Sequence, residues 1–161
     1  MFELTTTMMK RSKFLIVLTL LVVSVSFWQC GTDSAPAPNP QDEQLTKLSH
    51  TWKATSVTFG ASPVTGYENF TITVSGTAGQ ATFDYTVAGR PAKSPWPAAG
   101  KFTFGTDFST IIIREDIASD LFTYSVSATQ LQLNFNYNGP IYDARVSNVT
   151  GDWSFNFEIV N

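Results

Sequence analysis

Few residues in this chain could perform chemistry, because its 161 residues include one histidine, one cysteine and 23 charged side chains. His50 is the single candidate for histidine-dependent catalysis, yet no G-x-S-x-G elbow and no recognisable nucleophile accompanies it. A lone cysteine excludes an intramolecular disulfide and a multi-cysteine zinc site. We therefore predict no enzyme activity, no catalytic residue, no metal site and no cofactor.

Three acidic residues, Glu115, Asp116 and Asp120, lie close together in the chain and carry the oxygen ligands that hard cations prefer. They lack the D-x-D-x-D-G spacing of a calcium loop. Nothing in the sequence fixes two carboxylates at the separation that glycoside hydrolysis requires. The pattern favours a solvated acidic turn between two strands.

Loop aromatic residues form a second candidate site, for binding rather than catalysis. Trp96 lies between two prolines in the longest turn-rich segment, residues 89–100. Such a ring can stack on a sugar, together with Phe108 and Tyr142 from other loops. It can equally fold back as a plug over an open end of the domain. Large apolar rings are usually buried, so the plug is the favoured interpretation.

The single cysteine follows a segment with the features of an export signal. Basic side chains at positions 10, 11 and 13 precede an uncharged apolar run over residues 14–26. This run has the length of a signal-peptide core and is shorter than the roughly 20 residues that span a bilayer as a helix. Residues 1–31 resemble a bacterial lipoprotein signal, although Trp28 and Gln29 stand where that signal prefers small residues. The resemblance implies cleavage before Cys30 and its lipidation by acyl chains such as palmitate.

This signal divides the chain into three predicted parts. Residues 1–29 form the signal peptide, residues 30–40 the lipidated cysteine and a Pro-rich tether, and residues 41–161 the folded domain. Without residues 1–29 the chain has seven basic and twelve acidic residues and a net charge of −5. That charge excludes nucleic acid and anionic headgroups as electrostatic partners, so the membrane is contacted through the lipid anchor.

The folded domain is predicted to begin with one helix and to continue as strands. Asn39 as cap, Pro40 at the first position and two leucines three apart predict a short helix over residues 40–48. Beyond it, the hydrophobic period is two, which indicates strands with one buried face. The eight candidate strands are 52–59, 70–74, 82–87, 102–104, 111–113, 122–126, 131–137 and 153–159.

Short links between strands with one wet face favour antiparallel pairing in sequence order. An eight-stranded up-and-down β-barrel abolishes the exposed edges of such a sheet, and a two-sheet sandwich is the alternative. Closure of the barrel predicts that the first strand pairs antiparallel with the last. It also predicts that Trp52 and Trp153 are neighbours at the base of the core. The inward positions are almost all large, so little room is expected for a ligand.

Two motifs resemble a known family. The run Leu48 to Val57 is similar to the "L-x-G-x-W-x-x-x-S-V" opening of lipocalin-like domains in Bacteroidota lipoproteins, with His50 at the glycine. Residues 96–104 are similar to the "W-P-x-x-G-x-W-x-F" segment of the same proteins, with Phe102 at the second tryptophan. The resemblance covers residues 45–161 and implies a barrel fold at the cell envelope, without an assigned activity.

Three functions stay open at this point. The first is a monomeric, lipid-anchored protein of the cell envelope, at the outer membrane, whose barrel binds a small apolar molecule or a protein partner. The second is a surface glycan-binding or adhesion module that uses loop aromatics. The third is a hydrolase, for which the nucleophile and base are missing. A cavity above about 300 Å³ would favour the ligand carrier, and exposed coplanar rings would favour the glycan binder.

Overall fold

A computed structural model describes residues 39–117, 121–139 and 149–160. Strands predominate in these residues, in agreement with the period of two. The helix α1 is Pro40–Leu48, and a 3-10 helix spans Glu115–Ile117. The strands are Thr51–Phe59 (β1), Ser62–Pro63 (β2), Thr71–Ser75 (β3), Phe83–Ala88 (β4), Ala99–Phe104 (β5), Ile111–Arg114 (β6), Leu121–Val126 (β7), Gln130–Tyr137 (β8) and Gly151–Ile159 (β9).

The strands form a closed antiparallel barrel, which confirms the predicted fold class. Strands β3 to β9 pair in sequence order, and β1 pairs with both β3 and β9 to close an eight-stranded barrel. The short strand β2 pairs with the end of β1, within a segment where the sequence predicted only a turn. Because β1 and β9 are hydrogen-bonded neighbours, the architecture is the barrel rather than the alternative sandwich.

The strand pair β1–β9 confirms the predicted pairing of first and last strands. Its register runs from Trp52 opposite Ile159 to Phe59 opposite Trp153, with a bulge between residues 54 and 56. In an antiparallel pair, a residue near the N-terminus of one strand and a residue near the N-terminus of the other lie at opposite ends of the pair. The expectation that Trp52 and Trp153 are neighbours is therefore wrong, since one ring lies at each end of the pair.

Helix α1 has the predicted bounds and the predicted cap. The side-chain oxygen of Asn39 accepts a hydrogen bond, 3.1 Å long, from the backbone N–H two residues later. Leu45 and Leu48 are buried, and the indole Nε1 of Trp52 donates to the carbonyl of Leu48 at 2.9 Å. The helix thus covers the barrel end where β1 begins. Along the described part of the chain, we find no helix with both the length and the apolar character needed to cross a membrane.

Strand β5 begins three residues earlier than predicted. Gly100 pairs with Tyr85 on β4, and a Cβ atom at this glycine would lie 2.4 Å from the Tyr85 Oη. The missing side chain makes room for the Tyr85 ring, but it also removes the alternation from which a strand is predicted. The segment between β4 and β5 is consequently shortened to residues 89–98.

The core consists largely of aromatic rings on the inward faces of the strands. Phe135 stacks on Phe122 with a centroid separation of 4.1 Å, and it lies parallel to Phe155 at 5.9 Å. The buried rings are Trp52, Tyr67, Phe70, Phe83, Tyr85, Trp96, Phe102, Phe122, Tyr124, Phe135, Tyr137, Trp153, Phe155 and Phe157. The barrel is filled by these side chains, as the large inward residues predicted.

Candidate functional site

The segment 89–98 turns back into the barrel and places an indole ring in its core. The Trp96 residue is 1% exposed. Its ring centroid lies between 5.6 and 6.4 Å from those of five other rings, in tilted or edge-on geometry: Phe70, Tyr85, Phe122, Phe135 and Phe155. The predicted burial of Trp96 is confirmed, and the residue acts as a plug at the end of the barrel opposite α1.

Side chains from three other positions fix the backbone of this plug. The carbonyls of Lys93, Pro95 and Trp96 accept hydrogen bonds of 2.8, 3.0 and 2.9 Å from Tyr67, Arg114 and Arg90, respectively. Burial raises the pKa of Tyr67 to about 12, so the phenol keeps the proton that it donates. The carbonyls beside the ring are thereby satisfied without pairing to a strand.

A buried arginine packs against the plug. Arg114 ends β6 and is 1% exposed, and its guanidinium carbon lies 4.7 Å from the centroid of the Trp96 ring. Its Nε and Nη2 donate to the two carboxylate oxygens of Asp116 at 3.0 and 2.6 Å. Charged groups are tolerated in a core only when they are paired and hydrogen-bonded. Asp116 supplies the opposite charge, and the Trp96 ring supplies a favourable face for the cation.

The predicted acidic turn between two strands is the 3-10 helix Glu115–Ile117, where Asp116 is exposed as expected but also holds the buried Arg114 in an ion pair that was not predicted. Glu115 beside it is exposed, and Asp120 lies outside the described residues. A signal for this ion pair was present in the sequence. Arg114 has the same parity in β6 as the buried Ile112, which puts it on the inward face, and an inward cation requires a nearby acid.

Between α1 and the plug, the barrel encloses a cavity of about 20 Å³. Its lining includes Leu48 from the helix, Tyr85 and Phe102 from the strands, and Trp96. Burial raises the pKa of Tyr85 far above its ordinary range, and the charge of Arg114 only partly opposes this, so the phenol is neutral. Pockets for small molecules begin at about 300 Å³. The space of a ligand pocket is thus occupied by the chain's own rings.

The outer surface of β7, β8, β9 and β1 presents hydroxyl and carboxamide side chains in two cross-strand rows. The rows are Ser125, Gln132, Asn156 and Ser56, and Thr123, Asn134, Ser154 and Thr58. We call these eight residues the polar face. None of its side chains carries a charge. The rows on either side are charged, with Lys53 and Glu158 beyond the first and Asp152 beyond the second. On the outer surface of β4 and β5, an ion pair joins Asp84 and Lys101 at 2.6 Å.

Hydrogen bonds within the polar face fix some of its groups. The Nδ2 of Asn156 donates to the Oγ of Ser56 at 2.9 Å, across the closing strand pair. The hydroxyl of Thr55, at the bulge of β1, donates to the backbone carbonyl of Asn156 at 3.1 Å. On the other side, the hydroxyl of Thr123 donates to the carbonyl of Asn134 at 3.2 Å. The rigid sheet and these bonds hold the polar groups in place.

Two concavities lie over the polar face. One has a volume of about 340 Å³ and is lined chiefly by polar side chains around the first row, including Thr55, Gln132, Asn156 and Glu158. The other is more open, has a volume of about 420 Å³, and is lined by members of the second row with Asn136 and Asp152. In the sequence, these polar positions are recognisable only as the solvent-facing half of each alternating strand. Their arrangement in two uncharged rows across four adjacent strands depends on the strand pairing, which was not predicted residue by residue.

The residues predicted to form a sugar platform are not brought together in the described structure. Trp96 lies in the core, whereas Phe108 is half-buried between β5 and β6, and its carbonyl accepts a hydrogen bond from the Tyr124 hydroxyl. Among the described residues, no ring contact joins Phe108 to Trp96. Tyr142 and the predicted lipidation site Cys30 lie outside the described residues.

The single histidine lies at the surface before β1. His50 is exposed, and its ring meets the edge of Trp52 at a centroid distance of 5.7 Å. Within the ranges 39–117, 121–139 and 149–160, no group of three His, Cys, Asp or Glu residues could hold a metal ion. Among the described residues, the plug and the polar face are therefore the two candidate functional features.

Comparison with protein-family models, with curated proteins and with solved structures finds no match to this chain. The resemblance to lipocalin-like lipoproteins stays a prediction about identity, while the barrel itself is observed.

Proposed function

We propose that the protein is a monomeric, lipid-anchored protein of the cell envelope, attached to the outer membrane through Cys30, which binds a partner with the outer surface of its barrel. The observation that carries this proposal is the filled interior, where a cavity of about 20 Å³ remains between α1 and Trp96. The export-signal pattern of residues 1–30 supports the location.

The filled interior argues against transport of a small apolar molecule inside the barrel. To admit such a ligand, the ring of Trp96 would have to leave five neighbouring rings and the guanidinium of Arg114. The segment that carries it would also have to give up hydrogen bonds from Tyr67, Arg90 and Arg114. Close packing of buried side chains resists such a change of shape. Recognition then falls to surface groups, which a rigid sheet presents in a fixed arrangement.

Binding of an apolar fluorescent dye tests the sealed interior. We expect the full-length chain to give no saturable fluorescence increase with N-phenyl-1-naphthylamine, because the cavity is smaller than the dye. Trp96→Ala provides the matched control, since it vacates the volume of the indole and should gain a binding site if it folds. Saturable binding of one dye molecule to the unaltered protein would contradict the proposal, whatever the behaviour of the variant.

Detergent partitioning tests the anchor. Cys30→Ala should move the protein from the detergent phase to the aqueous phase, or leave an unprocessed precursor, because the acyl chains are lost. Each CH₂ group that a lipid chain buries contributes about 0.8 kcal/mol to membrane binding, so loss of the chains has a large effect. Ser34→Ala, in the predicted tether, is the control and should partition as the unaltered protein does. If Cys30→Ala still enters the detergent phase at its normal processed size, the lipid-anchor proposal fails.

A further inference from the structure

We infer that the polar face is a binding site for a neutral polysaccharide, laid across β7, β8, β9 and β1. The proposal rests on the proposed function in one respect, because it names the partner of the outer surface. It requires neither the lipid on Cys30 nor any feature of the barrel interior. It also differs from a site built on Trp96, which the core makes inaccessible.

The chemistry of the polar face matches that of a sugar chain. Neighbouring sugar hydroxyls both donate and accept hydrogen bonds, and a carboxamide offers one acceptor oxygen and two N–H donors in one plane. Gln132 and Asn156 supply such groups on adjacent strands, and the hydroxyls of Ser125 and Ser56 continue the row on either side. The row thus contains no charged side chain, and it presents hydrogen-bond donors and acceptors across four strands.

The charge of the surface excludes other polymers. The polar face has no cation, and the predicted processed chain has a net charge of −5, so nucleic acid and acidic glycans would be repelled. The acids at its two margins are already engaged or opposed: Asp152 accepts a hydrogen bond of 2.7 Å from Asn136, and Glu158 lies opposite Lys53 in the register. Neither margin therefore forms the acidic patch that a basic protein would require.

The described surface also lacks the apolar groups that a hydrophobic partner would need. Val160, at 46% exposure, is the large hydrophobic residue that stands out to solvent among the described residues. Stable protein interfaces commonly contain a buried core of aromatic or aliphatic anchors. A neutral, hydroxyl-rich chain needs no such core when hydrogen-bonding groups are held in place beforehand.

The shape of the surface favours a polymer over a single sugar. The concavities of about 340 and 420 Å³ lie over neighbouring rows of the same strands. Rows separated by two residues on a strand are about 7 Å apart, and adjacent strands are about 4.8 Å apart. The bond from Asn156 to Ser56 holds one carboxamide across the strand pair, so less ordering is required when the chain binds.

Affinity electrophoresis of the full-length protein in non-ionic detergent tests this inference. The native gels contain dextran, laminarin or yeast mannan as neutral polysaccharides, or polygalacturonate as an anionic one. We expect retardation in at least one neutral gel and none with polygalacturonate. The double variant Gln132→Ala/Asn156→Ala should weaken the binding at least about tenfold, which corresponds to the loss of two ordinary hydrogen bonds.

Thr86→Ala is the matched control, because Thr86 is exposed on the outer surface of β4, away from the polar face. It should bind the polysaccharide as the unaltered protein does. The inference is overturned if no neutral gel retards the protein, if the double variant binds undiminished, or if polygalacturonate binds more tightly. Dye exclusion and detergent partitioning of the double variant should stay unchanged, so failure of this inference is distinguishable from failure of the proposed function.

Discussion

Replacing Phe135 with alanine is expected to lower the free energy of unfolding by about 3–5 kcal/mol. The residue is 5% exposed, its ring lies between those of Phe122 and Phe155, and the centroid of the Trp96 ring is 5.6 Å away in edge-on geometry. Removing it takes away the burial of one aromatic side chain and leaves a cavity at the centre of the core. A closed barrel of hydrogen-bonded strands has little freedom to collapse into that space, so the upper part of the range is expected.

Urea denaturation followed by tryptophan fluorescence measures this loss. Asn134→Ala is the matched control, because it lies next to Phe135 on the outer side of β8 and should change stability by no more than about 0.5 kcal/mol. A larger loss for Asn134→Ala than for Phe135→Ala would mean that β8 is shifted by one residue, which would move every side chain of the strand to the opposite face.

Asp116→Ala is expected to destabilise the protein by about 3 kcal/mol, although Asp116 is partly exposed. The substitution removes both carboxylate bonds to Arg114 and leaves its 1% exposed guanidinium without that opposite charge. Breaking one side of a buried ion pair commonly costs about 3–5 kcal/mol, because the remaining charge stays desolvated. Because water reaches the Asp116 side chain, the loss should lie at the lower end of this range.

Thermal or chemical denaturation of three variants distinguishes this cause from a general loss of packing. Glu115→Ala, at the exposed neighbouring acid, should be nearly neutral. Arg114→Met/Asp116→Ala should be more stable than Asp116→Ala alone, because an apolar side chain of similar length replaces the buried cation that has lost the Asp116 charge. If the double variant is the less stable of the two, Arg114 contributes chiefly through its hydrogen bond to Pro95 and its contact with Trp96, and the charge argument is wrong.

The barrel could be predicted from the sequence because its information is periodic and local. The alternation of apolar and polar residues indicates which face of a strand is buried, as in β8 with Leu131, Leu133, Phe135 and Tyr137. The short links between strands favour antiparallel pairing of neighbours. The cap at Asn39 likewise fixes the start of α1 from adjacent residues. Closure followed from the number of strands and the disadvantage of open edges, which are properties of the chain as a whole.

The features that escaped prediction depend on partners distant in sequence or on an absent side chain. Gly100 gives no periodic signal, and its place in β5 is set by the ring of Tyr85 on another strand. Trp52 and Trp153 share a strand pair, but only the register shows that they lie at its opposite ends. The polar face arises only when β1 is placed beside β9, which no local window of sequence contains.

The closing strand pair has a consequence for the order of folding. Ser56 and Asn156, which pair across it, are 100 residues apart in the chain. Contacts of such separation are entropically expensive to form early, and proteins dominated by them fold slowly. Until β9 is available, β1 has a free edge, and the aromatic residues of the core lack one wall. A chain synthesised from its N-terminus therefore leaves the edge of β1 and many of its aromatic residues exposed until β9 is made, and only this last strand closes the barrel and removes the open edge.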